Sequence, residues 1–195
     1  MRWTLLPIAE KTLFSIVGVK SSGRRVQQQN MFSSDTRQFE GDGHSRIYAR
    51  YRPEPPPSIV QHVLTFINNS SSGGQNSLAL DVGCGSGQFT RLLTPHFTRV
   101  VATDVSEAQV RQARDKLAHC DNLEVTGGCG EHIELEDGSV DLVSVCQALH
   151  WMDVPRFYTE VDRVLKPGGV LAVVGYHFTK PGPSQHGASQ VRLFE

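Results

Sequence analysis

No run of about eighteen apolar residues occurs in the 195-residue sequence, so no stretch reads as a membrane-spanning helix and no membrane partner is expected. Charge of neither sign dominates. Nineteen Lys and Arg against twenty Asp and Glu leave a net charge of −1, which removes the bulk electrostatic argument for nucleic acid as a partner. Cysteine is scarce and scattered. Cys84, Cys120, Cys129 and Cys146 form no C-x-x-C pair, which argues against a disulfide framework or a zinc site, and no metal is expected. Three of the four lie in or beside apolar, strand-like stretches, as reduced thiols do. A hydrophobic content of 38% over this length is enough for one globular domain with a sizeable core.

The informative stretch is Leu78-Ala79-Leu80-Asp81-Val82-Gly83-Cys84-Gly85-Ser86-Gly87-Gln88. Leu78, Leu80 and Val82 read as a buried parallel strand. Gly83, Gly85 and Gly87 permit a tight turn and close approach of a ligand to the backbone. Phe89, Leu92 and Leu93 then resume at helical spacing. Strand, glycine turn and helix N-terminus together present free backbone N–H groups to a ligand. Dinucleotide sites use G-x-G-x-x-G, but here Gln88 stands in place of the third glycine, and Asp81 is poorly suited to a pyrophosphate neighbour. A carboxylate there suits a cationic ligand better.

The ends of the chain read differently. In residues 1–34, five cations (Arg2, Lys11, Lys20, Arg24 and Arg25) face Glu10 as the one acid before Asp35, with loosely interleaved Leu5, Leu6, Leu13, Phe14, Ile16 and Val17. That segment is expected to be a disordered or targeting leader. The chain is accordingly expected in the cytoplasm, with mitochondrial import through the leader as the alternative. Residues 35–180 read as the domain and 181–195 as an irregular Pro/Gly/Ser/Gln-rich tail.

Within the domain, Tyr48 and Tyr51 share a helical face, and the prolines that follow Arg52 end that helix. Ser58 opens another helix carrying Ile59, Val60, Val63, Leu64 and Ile67, and residues 68–75 read as a loop. A second strand, Val100-Val101-Ala102-Thr103, ends in Asp104, about 20 residues beyond the glycines, where an acid can accept both hydroxyls of a nucleoside ribose. Ser106 and Gln109 spell a capping box for the next helix. Leu123-Glu124-Val125-Thr126 is a weaker strand near a sheet edge, followed by Gly127-Gly128-Cys129-Gly130-Glu131. Val140 to Cys146 is the fourth strand, with Gln147-Ala148-Leu149-His150-Trp151 at its C-terminal end. A helix from Pro155 is ended by Lys166-Pro167-Gly168-Gly169, with Gly168 or Gly169 as its left-handed cap, and Val170 to Val174 is the fifth strand. Alternating strands and helices imply an α/β fold: a Rossmann-like, doubly wound, mostly parallel sheet with helices on both faces.

At five ordered places this sequence resembles class I S-adenosylmethionine (SAM)-dependent methyltransferases. They are Leu80 to Gly87, Asp104, Glu131 with its flanks, Asp137-Gly138-Ser139-Val140-Asp141-Leu142-Val143, and Arg163-Val164-Leu165-Lys166-Pro167-Gly168-Gly169. Phe39-Glu40-Gly41, Tyr48-x-x-Tyr51-Arg52 and Gln147 to Trp151 look closest to the small-molecule group around trans-aconitate methyltransferase and its uncharacterised animal relatives. The resemblance implies a SAM cofactor. Gly83, Gly85 and Gly87 would line its methionine half, with Asp81 helping to fix the amino end. Asp104 would hold the ribose, Cys129, Gly130 and Glu131 would border the adenine, and Gln147 would face the cofactor. Tyr48, Arg52 and Trp151 would contact a small-molecule acceptor, and His150 is the candidate base. Relatives continue beyond the fifth strand with further sheet, so the domain is expected to be truncated there. A catalytically defective SAM-fold binding or regulatory chain is the alternative function, and a NAD-linked oxidoreductase the third reading.

Overall fold

A computed structural model of the chain describes residues 4–5, 17–18, 55, 57–70 and 76–175. Thr4–Leu5 (β1) and Val17–Gly18 (β2) pair antiparallel, with Thr4 opposite Gly18 and Leu5 opposite Val17. Further along, the chain forms helix α1, Ser58–Ser70. It then runs through β3 (Leu78–Val82), α2 (Thr90–Leu93), β4 (Arg99–Asp104), α3 (Glu107–Lys116), β5 (Leu123–Gly127), β6 (Val140–Cys146), α4 (Val154–Val164) and β7 (Leu165–Val174).

The five long strands form one sheet in the order β5-β4-β3-β6-β7, and every ladder is parallel. The chain steps outward from β3 to β4 to β5, then crosses to the other side of β3 for β6. That reversal is a topological switch point, where open α/β sheets leave a crevice at their carboxyl ends.

Both faces of the sheet are covered, which is why the strands read as continuous apolar runs rather than alternating ones. On one face Ala79, Val100, Leu142, Val170, Ala172 and Val174 pack with Ile59, Val63 and Ile67 of α1 and Leu93 of α2. On the other, Leu80, Val82, Val143, Val145 and Leu171 meet Phe157, Val161 and Val164 of α4. Ala102 packs with Val110 and Ala113 of α3.

Several boundaries differ from the sequence reading. Asn68 to Ser70 belong to α1 rather than to the loop. Ser106 is the N-cap of α3, but its hydroxyl makes no capping bond and Gln109 Oε1 is likewise unpaired, so the capping box is not formed. α4 starts at Val154, capped by the Asp153 side chain, with Pro155 inside its first turn. The Lys-Pro-Gly-Gly segment does not end α4. Leu165 turns straight into β7, and Gly168 at φ +85° belongs to that strand, where the register against β6 shifts between Val140 and Leu142.

The connection from β5 to β6, residues 128–139, carries no helix and is held by side chains instead. Arg163 near the end of α4 donates to the Ile133 and Leu135 carbonyls, at 2.7 and 2.9 Å, and to Asp137 and Glu160. Glu160 also accepts the Ile133 N–H at 2.8 Å, and Gly138 donates to the Arg163 carbonyl. Lys166 bonds both oxygens of Asp141, whose Oδ2 also accepts the N–H groups of Ser77 and Leu78. Two of the sequence motifs, Asp137 to Val143 and Arg163 to Gly169, are therefore the two halves of one clamp.

Candidate cofactor site at the carboxyl rim of the sheet

The glycine turn follows β3 directly. Gly83, Gly85 and Gly87 take φ of +68°, +56° and +86°, the left-handed region that L side chains resist. Space adds a second constraint at two of them. A Cβ on Gly83 would lie 2.5 Å from the Ala148 methyl, and one on Gly87 would lie 2.6 Å from Leu117 Cδ1. The turn is closed by the Gly87 N–H to the Cys84 carbonyl at 3.0 Å and tied to β4 by the Cys84 N–H to the Thr103 carbonyl at 2.9 Å. Lys116 at the end of α3 donates to the Ser86 hydroxyl at 3.0 Å.

Asp104 joins this turn to the next one. Its Oδ2 accepts the Gly85 N–H at 2.8 Å and its Oδ1 the Ser106 N–H at 2.9 Å. The carboxylate is half-buried, so it is fixed by backbone donors and still reaches the rim. Val105, next in sequence, is 69% exposed and is the one large apolar side chain left in that state among the described residues. The sequence reading missed it; an apolar residue directly after a strand-end acid was the available signal.

Asp81 is placed differently from Asp104. It is 1% exposed and lies in register with Ser144 of β6. Its Oδ2 accepts from the Thr90 hydroxyl at 2.6 Å and its Oδ1 from the Ser144 hydroxyl at 2.8 Å. The carboxylate thus ties β3 to β6 and to α2 beneath the glycine turn, rather than opening onto the rim. Burial, with Asp81 and Asp104 close by, pushes the Cys84 thiol well above its usual range, so this cysteine stays protonated and unreactive.

Gln147, directly after β6, takes φ +57° and is the one non-glycine residue in the left-handed region among the described residues. Its N–H donates to the Val174 carbonyl at 2.8 Å. Such strain persists where surrounding structure over-determines it, often at functional sites. Leu149–Trp151 form a 3-10 turn in which His150 is exposed and Trp151 half-buried, their rings 4.8 Å apart and tilted by 47°. Beyond the end of β5, Cys129 is half-buried and bridges to His132, and Gly130 is buried against Val82, Met152 and Phe157. Glu131 Oε1 accepts the Asp153 N–H at 2.7 Å. Tyr48 and Arg52 lie outside the described residues.

The strand ends of β3, β4, β5 and β6 thus bring Gly83, Gly85, Gly87, Asp104, residues 129–131 and residues 147–151 to one rim, and sheet order and rim together define a Rossmann-like α/β domain. Comparison with known proteins narrows the class. Residues 80–173 match a family model described as a methyltransferase domain. A candidate methyltransferase of Dictyostelium discoideum is 35% identical over 136 residues, 70% of this chain and 48% of that protein. Among solved structures, a candidate type II methyltransferase from Anaeromyxobacter dehalogenans is 37% identical with a TM-score of 0.57, over 68% of this chain and 52% of that one. A SAM-dependent methyltransferase from Aquifex aeolicus is 25% identical with a TM-score of 0.55, over 73% of this chain and 78% of that one. Residues 80–173 are thus similar to a methyltransferase domain, and the fold is one shared with solved methyltransferases. The chain spans about half the length of the curated relatives it matches.

Proposed function

We propose that this chain binds S-adenosylmethionine at the carboxyl rim and transfers its methyl group to a small-molecule acceptor. The observation that carries the reading is the bond from the Gly85 N–H to Asp104 Oδ2 at 2.8 Å, which sets a left-handed glycine cradle and a strand-end carboxylate side by side. The residues present fit the cofactor. The cradle admits close backbone approach, Asp104 offers acceptors to ribose hydroxyls, and exposed Val105 offers an apolar face to a base. The Aquifex relative, by its name, uses the same cofactor.

Bound there, SAM supplies an activated methyl on a sulfonium sulfur. The protein's part is then placement and exclusion of water, and orientation of this kind contributes up to about 7–11 kcal/mol. In this reading Asp104 and Val105 hold the nucleoside, the glycine turn and Gln147 hold the methionine half, and the backbone at Cys129 and Gly130 borders the base. Asp81 acts one step back by fixing the turn. An imidazole nitrogen of His150 accepts the acceptor's proton where the acceptor arrives protonated, Trp151 walls the pocket, and Tyr48 and Arg52 complete the acceptor side. Arg52 and the trans-aconitate-like motifs favour an acceptor bearing a carboxylate, which a guanidinium binds in bidentate fashion.

The test is Asp104→Ala. Isothermal titration should show SAM affinity reduced by at least about tenfold, the loss expected when charged hydrogen bonds to two hydroxyls disappear, while a cooperative melt persists. Retained affinity in a folded variant would overturn the ribose assignment.

A further inference from the structure

Glu131 is bonded to the segment that directly follows His150 and Trp151. Its Oε1 accepts the Asp153 N–H at 2.7 Å. Asp153 is itself the cap of α4, accepting the Arg156 N–H at 3.3 Å, so Glu131 sits where the positive end of a helix dipole favours an anion. Just upstream is the short turn of residues 148–152, closed by the Trp151 N–H to the Ala148 carbonyl at 3.0 Å and the Met152 N–H to the Leu149 carbonyl at 3.1 Å. Two glycines grip the same turn. A Cβ on Gly83 would strike the Ala148 methyl at 2.5 Å, and one on Gly130 would meet Met152 Sδ and the Phe157 ring at 2.9 Å. The turn is therefore clasped by the β3 end through Gly83 and by the β5–β6 loop through Gly130, and the Glu131–Asp153 bond adds a directional polar tie to these packing contacts.

We propose that Glu131 is a positioning residue rather than a ligand of the cofactor: its carboxylate pins the turn that presents His150 and Trp151 to the rim. What that turn faces rests on the cofactor reading above; the pin itself does not.

Trp3 and Trp151 are the two tryptophans of the chain, so Trp3→Phe leaves Trp151 as the sole reporter. In that background, acrylamide quenching of Trp151 and the affinity for S-adenosylhomocysteine are measured for Glu131→Ala and Glu131→Gln. The alanine variant should raise the quenching constant at least about twofold while the affinity changes by less than about twofold. The glutamine variant, whose amide oxygen still accepts, should restore the parent quenching. Asp153→Pro removes the donor from the other side. Asp153 at φ −69° and Met152 in the extended region both accept a proline, and this variant should reproduce the alanine effect on Trp151. Unchanged Trp151 quenching in both Glu131→Ala and Asp153→Pro overturns the proposal. So does a loss of affinity of about tenfold or more in Glu131→Ala, which would make Glu131 a ligand. If the parent fails to bind S-adenosylhomocysteine, the cofactor reading falls, and the quenching arm still decides the pin.

Discussion

Gly83 shows how little freedom single positions have at this rim. It is constrained twice, by φ of +68° and by the Ala148 methyl that would stand 2.5 Å from a Cβ. The two constraints can be separated. Gly83→Ala should cost about 2–4 kcal/mol in denaturant unfolding, and adding Ala148→Gly should recover the steric part and leave the roughly 1–2 kcal/mol of left-handed strain. Full recovery would mean the backbone relaxes there at no cost. Gln147 offers the converse experiment. Its φ of +57° is strained for any residue but glycine, so Gln147→Gly should leave stability unchanged or raise it by up to about 1 kcal/mol while weakening SAM binding. A destabilised variant with intact affinity would show the side chain to be structural. At this scale the sequence was partly legible. The glycines and Asp104 follow from spacing and stereochemistry. Asp81 is visible as an acid, but its burial between Thr90 and Ser144 depends on a register that pairs residues 63 positions apart. The strain at Gln147 leaves no mark in composition at all.

Among the elements, the helix-free crossover between β5 and β6 is the one most dependent on side chains. Arg163 bonds two of its carbonyls and two carboxylates. The same guanidinium, chiefly by hydrogen bonding, holds Glu160 down to about 2. A carboxylate depressed on folding contributes stability that is fully present above its unfolded value, about 4.3, and is lost as pH falls through about 2. Arg163→Ala should therefore destabilise by about 2–3 kcal/mol at neutral pH, and the gap from the parent should narrow as pH falls from about 5 toward 2. A gap that stays constant over that window would mean the Glu160 pair contributes nothing. The clamp also explains why motif-like residues far from the rim carried the family resemblance: Asp137, Asp141, Arg163 and Lys166 close the crossover and the start of the sheet. Helix ends were less readable. The serine and glutamine of a capping box are present before α3 without forming it, and a Lys-Pro-Gly-Gly sequence that spells a helix stop is instead strand with an irregular register. In both places tertiary packing outweighs local preference.

For the whole molecule, the five strands of the main sheet, their parallel sense and the two covered faces could be read from apolar runs of strand length separated by helical spacing, whereas the antiparallel pair β1–β2 inside the expected leader could not. The placement of β6 beside β3 rather than β5 could not, because it depends on a crossover whose length and composition do not state which way it turns. That placement is what builds a switch point and brings the ends of β3, β4 and β6 together at the rim proposed to hold the cofactor. The most direct test of the rim is thermal unfolding of the 195-residue chain alone, with SAM, and with NAD. Ligand at about 100 times its dissociation constant stabilises the folded state by about 2.7 kcal/mol. A cooperative melt raised by SAM and unmoved by NAD is the expected result. A cooperative melt that SAM leaves in place, or that NAD raises instead, would contradict the account.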